Sequence, residues 1–158
     1  MGGSMAYFTA LLTTFRGRIT RLQWWLGFVI WLLGSMAGSL LLNPEFFTAD
    51  EMPPPVWSET IFQLAWLVPF AAVSVKRFND RDWPWWPGYA IAALSAVFVV
   101  APHFGVAVDP SAGGIGAVIF YIGAIAGFVA LIDNGFMRGT DGPNRYGPDP
   151  LARSTQIA

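Results

Sequence analysis

Apolar residues fall in four long runs, and the charges sit almost entirely between them. Residues 22–42 carry no charged side chain. At about 1.5 Å per helical residue such a run can cross a hydrocarbon core of about 30 Å. Further runs cover about 57–75, 87–106 and 113–132. Each predicts a transmembrane helix. Pro69 lies inside the second run and removes a backbone hydrogen bond, which predicts a kink. Glu59 lies near the outer end of the same run, where water is expected within reach. Ahead of the first run, Tyr7, Phe8, Leu11, Leu12 and Phe15 recur at helical spacing, with Thr9, Thr13 and Thr14 on the other side. That pattern predicts a short amphipathic helix, lying in the membrane interface or packed on the rest of the protein. The fold class is therefore all-α: a polytopic membrane bundle of four transmembrane helices with a short amphipathic N-terminal interfacial helix.

The segments between the runs divide by charge. All nine Lys and Arg fall in three of them: Arg16, Arg18 and Arg21, then Lys76, Arg77 and Arg81, then Arg138, Arg145 and Arg153. The two intervening loops carry none. The loop at residues 43–56 holds Pro44, Pro53, Pro54 and Pro55 with Glu45, Asp50 and Glu51, and the shorter loop holds Asp109. By the positive-inside rule both termini and the central basic segment are expected in the cytoplasm. A cleaved signal peptide is the rival reading of the first run, but the run exceeds the usual signal core of about 7–15 residues. Residues 1–4 read as a cloning remnant before Met5. Residues 5–150 form a single domain, with turns from Gly139 to Pro150, and residues 151–158 a flexible tail.

Composition narrows the chemistry. The chain of 158 residues is 54% hydrophobic and 12% charged, against about a quarter charged in soluble domains. The absence of cysteine excludes disulfides and thiolate ligation, and a single histidine, His103, excludes a histidine-rich metal centre. No metal-ligand spacing and no glycine-rich phosphate loop occurs, so no metal or cofactor is expected. His103 reads as a solvated group at a helix end. Nucleic acid is not expected as a partner, because each basic cluster is short and abuts lipid.

The most charged stretch, Lys76 to Trp86, reads as a hinge at the membrane surface, with its cations facing the cytoplasm and its indoles at headgroup level. The polar face so predicted gathers Arg16, Arg18, Arg21, Lys76, Arg77, Asn79, Asp80, Arg81, Asp82, Asn144, Arg145 and Asp149. Two readings of it are compatible. One is mutual Arg–Asp pairing that ties the segments together; the other is a site for anionic lipid headgroups. Glycines form a second pattern. Gly27, Gly34 and Gly38 in the first run and Gly116, Gly123 and Gly127 in the fourth each keep to one helix face. They predict packing of the first span on the fourth, or a homodimer seam.

Three motifs in order resemble a known bacterial family. They are Phe15-Arg16-Gly17-Arg18-Ile19-Thr20-Arg21, then Lys76-Arg77-Phe78-Asn79-Asp80 leading to Trp83, Trp85 and Trp86, then Asn144-Arg145-Tyr146-Gly147-Pro148-Asp149-Pro150. The chain resembles the YhaH-type inner-membrane family, domain of unknown function 805. Asn79 stands where that family usually has histidine, so a titrating imidazole is not expected there. The resemblance implies an integral protein of the bacterial inner membrane and no activity. The expected role is non-enzymatic: a polar cytoplasmic face that engages membrane lipids or a partner protein, with homo-oligomers also open. The alternative is a small oligomeric channel or transporter using Pro69, Glu59 and the glycine stripes. A lipid-acting enzyme would need Asp80, Asp82 and Asp149 to converge on an open cleft.

Overall fold

The computed structural model describes residues 2–49, 53–111 and 113–152. Asp50, Glu51, Arg153 and the rest of the tail lie outside the described residues. Five α-helices follow one another: α1 (Gly2–Thr13), α2 (Arg21–Leu42), α3 (Trp57–Asp80), α4 (Pro87–Val100) and α5 (Gly114–Gly135). A 3₁₀ turn at Ala101–Phe104 extends α4. With that extension, α2, α3, α4 and α5 are each long and apolar enough to cross a membrane. The chain is an all-helical protein with four candidate spans, and no strand occurs among its described residues.

Local chemistry sets the helix ends. The side chain of Thr20 accepts from the Gln23 amide, and the Gln23 side chain accepts from the Thr20 amide, a reciprocal cap that starts α2. Pro87 suits the first turn of α4, where a missing N–H costs nothing. One end differs from the sequence reading. Residues 76–80 are not a surface hinge but the last helical turns of α3, and all five are buried. The turn between spans is left to the residues that follow, with Asp82 at a positive φ of 57°. The helix can continue because other segments supply partners for its polar side chains.

The glycine stripes pack differently from the expectation. A Cβ on Gly27, Gly34 or Gly38 would meet Val73, Trp66 or Phe62 at 2.5, 2.3 and 2.0 Å. All three neighbours belong to α3, so the first span uses its glycines against the second span, not the fourth. A Cβ on Gly123 would meet Phe98 of α4 at 2.2 Å, whereas one on Gly127 meets nothing within 4 Å. Gly116 is buried. The reason is steric: Phe62, Trp66 and Val73 on α3 and Phe98 on α4 need a facing backbone without side chains. Trp66 fixes the register by donating its Nε1–H to the Trp31 carbonyl at 2.9 Å.

α1 is anchored at its C-terminal end. Leu11 is buried with Ile19, Trp24 and Val73. Lys76 Nζ donates to the carbonyls of Ala10 at 3.0 Å and Leu11 at 2.5 Å, a cation placed at the negative end of a helix. Met5, Tyr7 and Phe8 remain exposed.

At the opposite end of the bundle, the two groups expected to reach water are half-buried and also engage protein partners. Glu59 accepts from Ser39 Oγ at 2.5 Å and Asn43 Nδ2 at 2.9 Å, clasping α3 to the end of α2. His103 stacks on Trp57 with centroids 3.8 Å apart and bonds Thr60 Oγ1 at 2.7 Å. Glu59→Ala leaves two part-buried donors without their acceptor. It is expected to cost about 1–3 kcal/mol, read as a lower melting midpoint in detergent. An unchanged midpoint would mean the clasp contributes nothing.

Candidate functional site

The polar end of the bundle is built around one carboxylate. Gly17, at φ 89°, bends the chain so that Arg16 is exposed while the Arg18 guanidinium turns inward. Arg18 Nε meets Asp80 Oδ1 at 2.9 Å, and Arg77, one helical turn before Asp80, meets Oδ2 through Nη1. These side chains are 1% and 5% exposed for each Arg–Asp pair. Buried charges persist only when paired and fully hydrogen-bonded, and both guanidiniums are. Arg18 donates to the carbonyls of Thr140 and Gly142, each at 2.6 Å. Arg77 donates to the Asn134 carbonyl at 2.8 Å and to the Met137 carbonyl. Through these bonds one aspartate ties the entry to α2, the end of α3, the end of α5 and the tail.

The tail is seated on the same residues. Thr140 N donates to the Asp80 carbonyl at 2.9 Å, and Asn144 Nδ2 to the Asn79 carbonyl at 2.9 Å. Asn79 Nδ2 in turn donates to the Gly17 carbonyl at 3.1 Å. Gly139 passes so close that a Cβ would sit 2.0 Å from Asp80 Oδ2. Asp149 accepts from the Leu151 amide at 2.9 Å and the Gly142 amide at 3.1 Å. The bond from Leu151 does most to hold its carboxyl below the ordinary carboxylate range; desolvation opposes it, and the bond from Gly142 and the charges of Arg18 and Arg138 add to it. A depressed pKa stabilises the folded state above the unfolded value, and that contribution fades as pH falls through the depressed one.

Around this core lies a ring of looser pairs. Arg81 Nε meets Asp133 at 3.2 Å, and Arg145 Nε meets Asp82 at 3.1 Å. Arg138 pairs with Asp141 at 2.9 Å, fully in the open. Arg21 donates to the Phe136 carbonyl at 3.1 Å. Arg16 has no hydrogen-bond or ion-pair partner among the described residues.

The structure thus brings together Arg18, Arg77, Asn79, Asp80 and Asn144 in the center, places Arg81 and Arg145 in separate pairs, sets Asp149 in a tail turn, and leaves Arg16 and Arg21 at the rim. Lys76 and Arg77 do not face outward as the hinge reading had it. Asp80 and Asp149 line one hollow while Asp82 lies outside it, and each is held by its own donors. Asp133 and the carbonyls of Asn134, Met137 and Thr140 belong to the network without having been singled out. Asp133 carried a signal, since a lone acid closing a span on the basic side calls for a cation.

Three hollows bear on function. One, of about 420 Å³, has Arg77 and Asp80 in its floor and Arg21, Arg138, Asp141 and Asp149 around it. A second, of about 320 Å³, lies between Arg16 and Arg145 over Phe15, Trp85, Tyr89 and Tyr146. The third, of about 380 Å³, lies among the spans and is apolar, lined by Trp31, Leu67, Phe70, Phe98 and Phe120, with Gln63 and Ser95 contributing polar side chains.

A family model described as protein of unknown function (DUF805) matches residues 12–148. Two curated relatives carry the name uncharacterized protein YiiR, one from Escherichia coli strain K12 and one from Escherichia coli O157:H7. Each is 27% identical over 143 residues, covering 87% of this chain and 86% of the relative. No solved structure matches. The matched span runs from the end of α1 through α5 and takes in Arg18, Arg77, Asp80 and Asn144, the residues that close the polar end. The four spans and the arginine–aspartate knot they carry are therefore those of a member of the DUF805 family.

Proposed function

We propose that the chain is a bacterial inner-membrane protein of non-enzymatic role, with both termini and the arginine-rich end in the cytoplasm, and that this end engages anionic lipid headgroups. The observation that carries the reading is the division of labor among the cations. Asp80 and backbone carbonyls absorb Arg18 and Arg77, while Arg16, Arg21, Arg138 and Arg145 stay exposed. Trp83, Trp85 and Trp86 are exposed beside them, as expected at headgroup depth. Each such cation near an anionic leaflet contributes about 1 kcal/mol.

The pairing of Asp80, Asp82, Asp133 and Asp141 with arginines supports a non-enzymatic role, although Asp80, Asp141 and Asp149 line one cleft. Transport is the second reading. The apolar interior hollow and the clasped Glu59 speak against a polar pathway within one chain. The glycines of α2 face α3, which speaks against their use as a homodimer seam. Native mass spectrometry of the protein released from its own membranes tests the proposal. Retained anionic phospholipid is the expected result. A bound partner protein, or neutral lipid alone, would overturn it.

A further inference from the structure

We propose that the hollow between Arg16 and Arg145 is the seat of the lipid phosphoryl group; this rests on the headgroup-engaging reading above and locates it. The two clefts at the polar end differ in charge. The larger is lined by Asp80, Asp141 and Asp149 as well as by arginines, so a phosphate there would face carboxylates on several sides. The hollow between Arg16 and Arg145 has no carboxylate in its lining. The acid nearest to it in the pairing scheme is Asp82, which is occupied by Arg145 at 3.1 Å.

The cations of this hollow have capacity to spare. Arg16 is exposed and makes no bond among the described residues. It is aimed there by Gly17, whose positive φ sends Arg16 and Arg18 to opposite sides. Arg145 commits Nε and Nη2 to Asp82, and a guanidinium has five N–H donors, so the Nη1 pair is left. A planar fork with unused donors suits a phosphoryl oxygen.

The floor selects the kind of phosphate. Phe15 stacks on Tyr89 with centroids 5.7 Å apart, Trp85 lies 6.2 Å from Tyr89, and Arg145 covers Tyr146 at 5.1 Å. Trp85 is 69% exposed, a large apolar ring kept at the rim. Amphipathic rings of this kind sit at the membrane interface. They suit a phosphoryl group attached to a glyceride and offer nothing specific to a free ion. The occupant is the phosphodiester of a membrane phospholipid.

The test titrates the full-length chain in neutral detergent with phosphatidylglycerol or phosphatidylcholine, following tryptophan fluorescence. The wild type is expected to bind phosphatidylglycerol more tightly. Arg16→Gln should weaken that binding about five-fold, the loss of one interfacial cation, and Arg16→Lys should restore most of it. Gly127→Ala, within a span and outside the basic face, where a Cβ meets open space, should bind like the wild type. Because Arg16 bonds nothing among the described residues, its replacement is expected to leave folding intact, which the melting midpoint checks; Arg145→Gln serves as the second variant on the opposite wall. Wild-type affinity in both Arg16→Gln and Arg145→Gln would overturn the placement while leaving headgroup engagement standing. No preference for phosphatidylglycerol in the wild type would defeat both. Competition by glycerol phosphate in solution at equal concentration would overturn the lipid source.

Discussion

Asp80→Asn is expected to lower the melting midpoint of the detergent-solubilised protein more than any other single change at the polar end. The carboxylate is the common counter-charge of Arg18 and Arg77, and all three side chains are nearly inaccessible. Removing it leaves two buried guanidiniums facing each other without compensation. Breaking a buried pair by deleting one partner costs about 3–5 kcal/mol, and here one deletion breaks two pairs. Asparagine keeps the volume and one acceptor, so the loss measured is that of charge rather than of packing. Arg77→Gln should follow closely, because it also strands the carbonyls of Asn134 and Met137. Arg138→Gln is the comparator. Its pair with Asp141 is 72% and 78% exposed, and such pairs contribute about 0–1 kcal/mol. Equal midpoints for the three variants would remove the knot from any account of stability. The knot also predicts where damage spreads. The tail sits on the Asp80 carbonyl through Thr140 and on Asn79 through Asn144, so proteolysis in the Gly139–Pro150 segment should accelerate in Asp80→Asn before the spans unfold.

Much of this was legible in the sequence, and the gaps have physical causes. Four apolar runs and three basic segments follow from the bilayer, which penalises charge in its core regardless of tertiary detail. The same rule cannot tell a cation that faces headgroups from one that has turned inward. Arg77 and Arg81 look alike in sequence. Arg77 is buried because the Asn134 and Met137 carbonyls arrive from about sixty residues downstream, and no local pattern announces them. The hinge reading failed there for the same reason: the helix end is decided by partners far along the chain. The bonds of Glu59 were not legible because its donors, Ser39 and Asn43, lie at the end of another helix. Arg16 and Arg18 show the finest grain. They differ by two positions and share a motif, yet Gly17 sends one inward and one outward.

The glycine stripes give the second large effect, and they show what spacing leaves undetermined. A period of seven and four fixes a face of α2 but not the helix that meets it. The facing helix is α3, and its aromatic side chains cannot retreat. Trp66 is pinned by its bond to the Trp31 carbonyl at 2.9 Å and stacks on Phe62 with centroids 5.9 Å apart. A methyl at Gly34 would lie 2.3 Å from the Trp66 ring, and one at Gly38 would lie 2.0 Å from Phe62. Gly34→Ala and Gly38→Ala should therefore each cost about 1–3 kcal/mol through overpacking. Because both press on one stack, the double variant should cost less than the sum. Gly127→Ala is the internal control, since its Cβ meets open space. Alanine there removes a glycine from a helix interior, so the midpoint should stay level or rise slightly. If instead Gly34→Ala left the monomer's melting unchanged and split an oligomer, the stripe would be a seam between copies. If Gly127→Ala were as damaging as Gly34→Ala, glycine's effect would come from the helix backbone alone, and the fit of α3 rings into α2 would have no energetic weight.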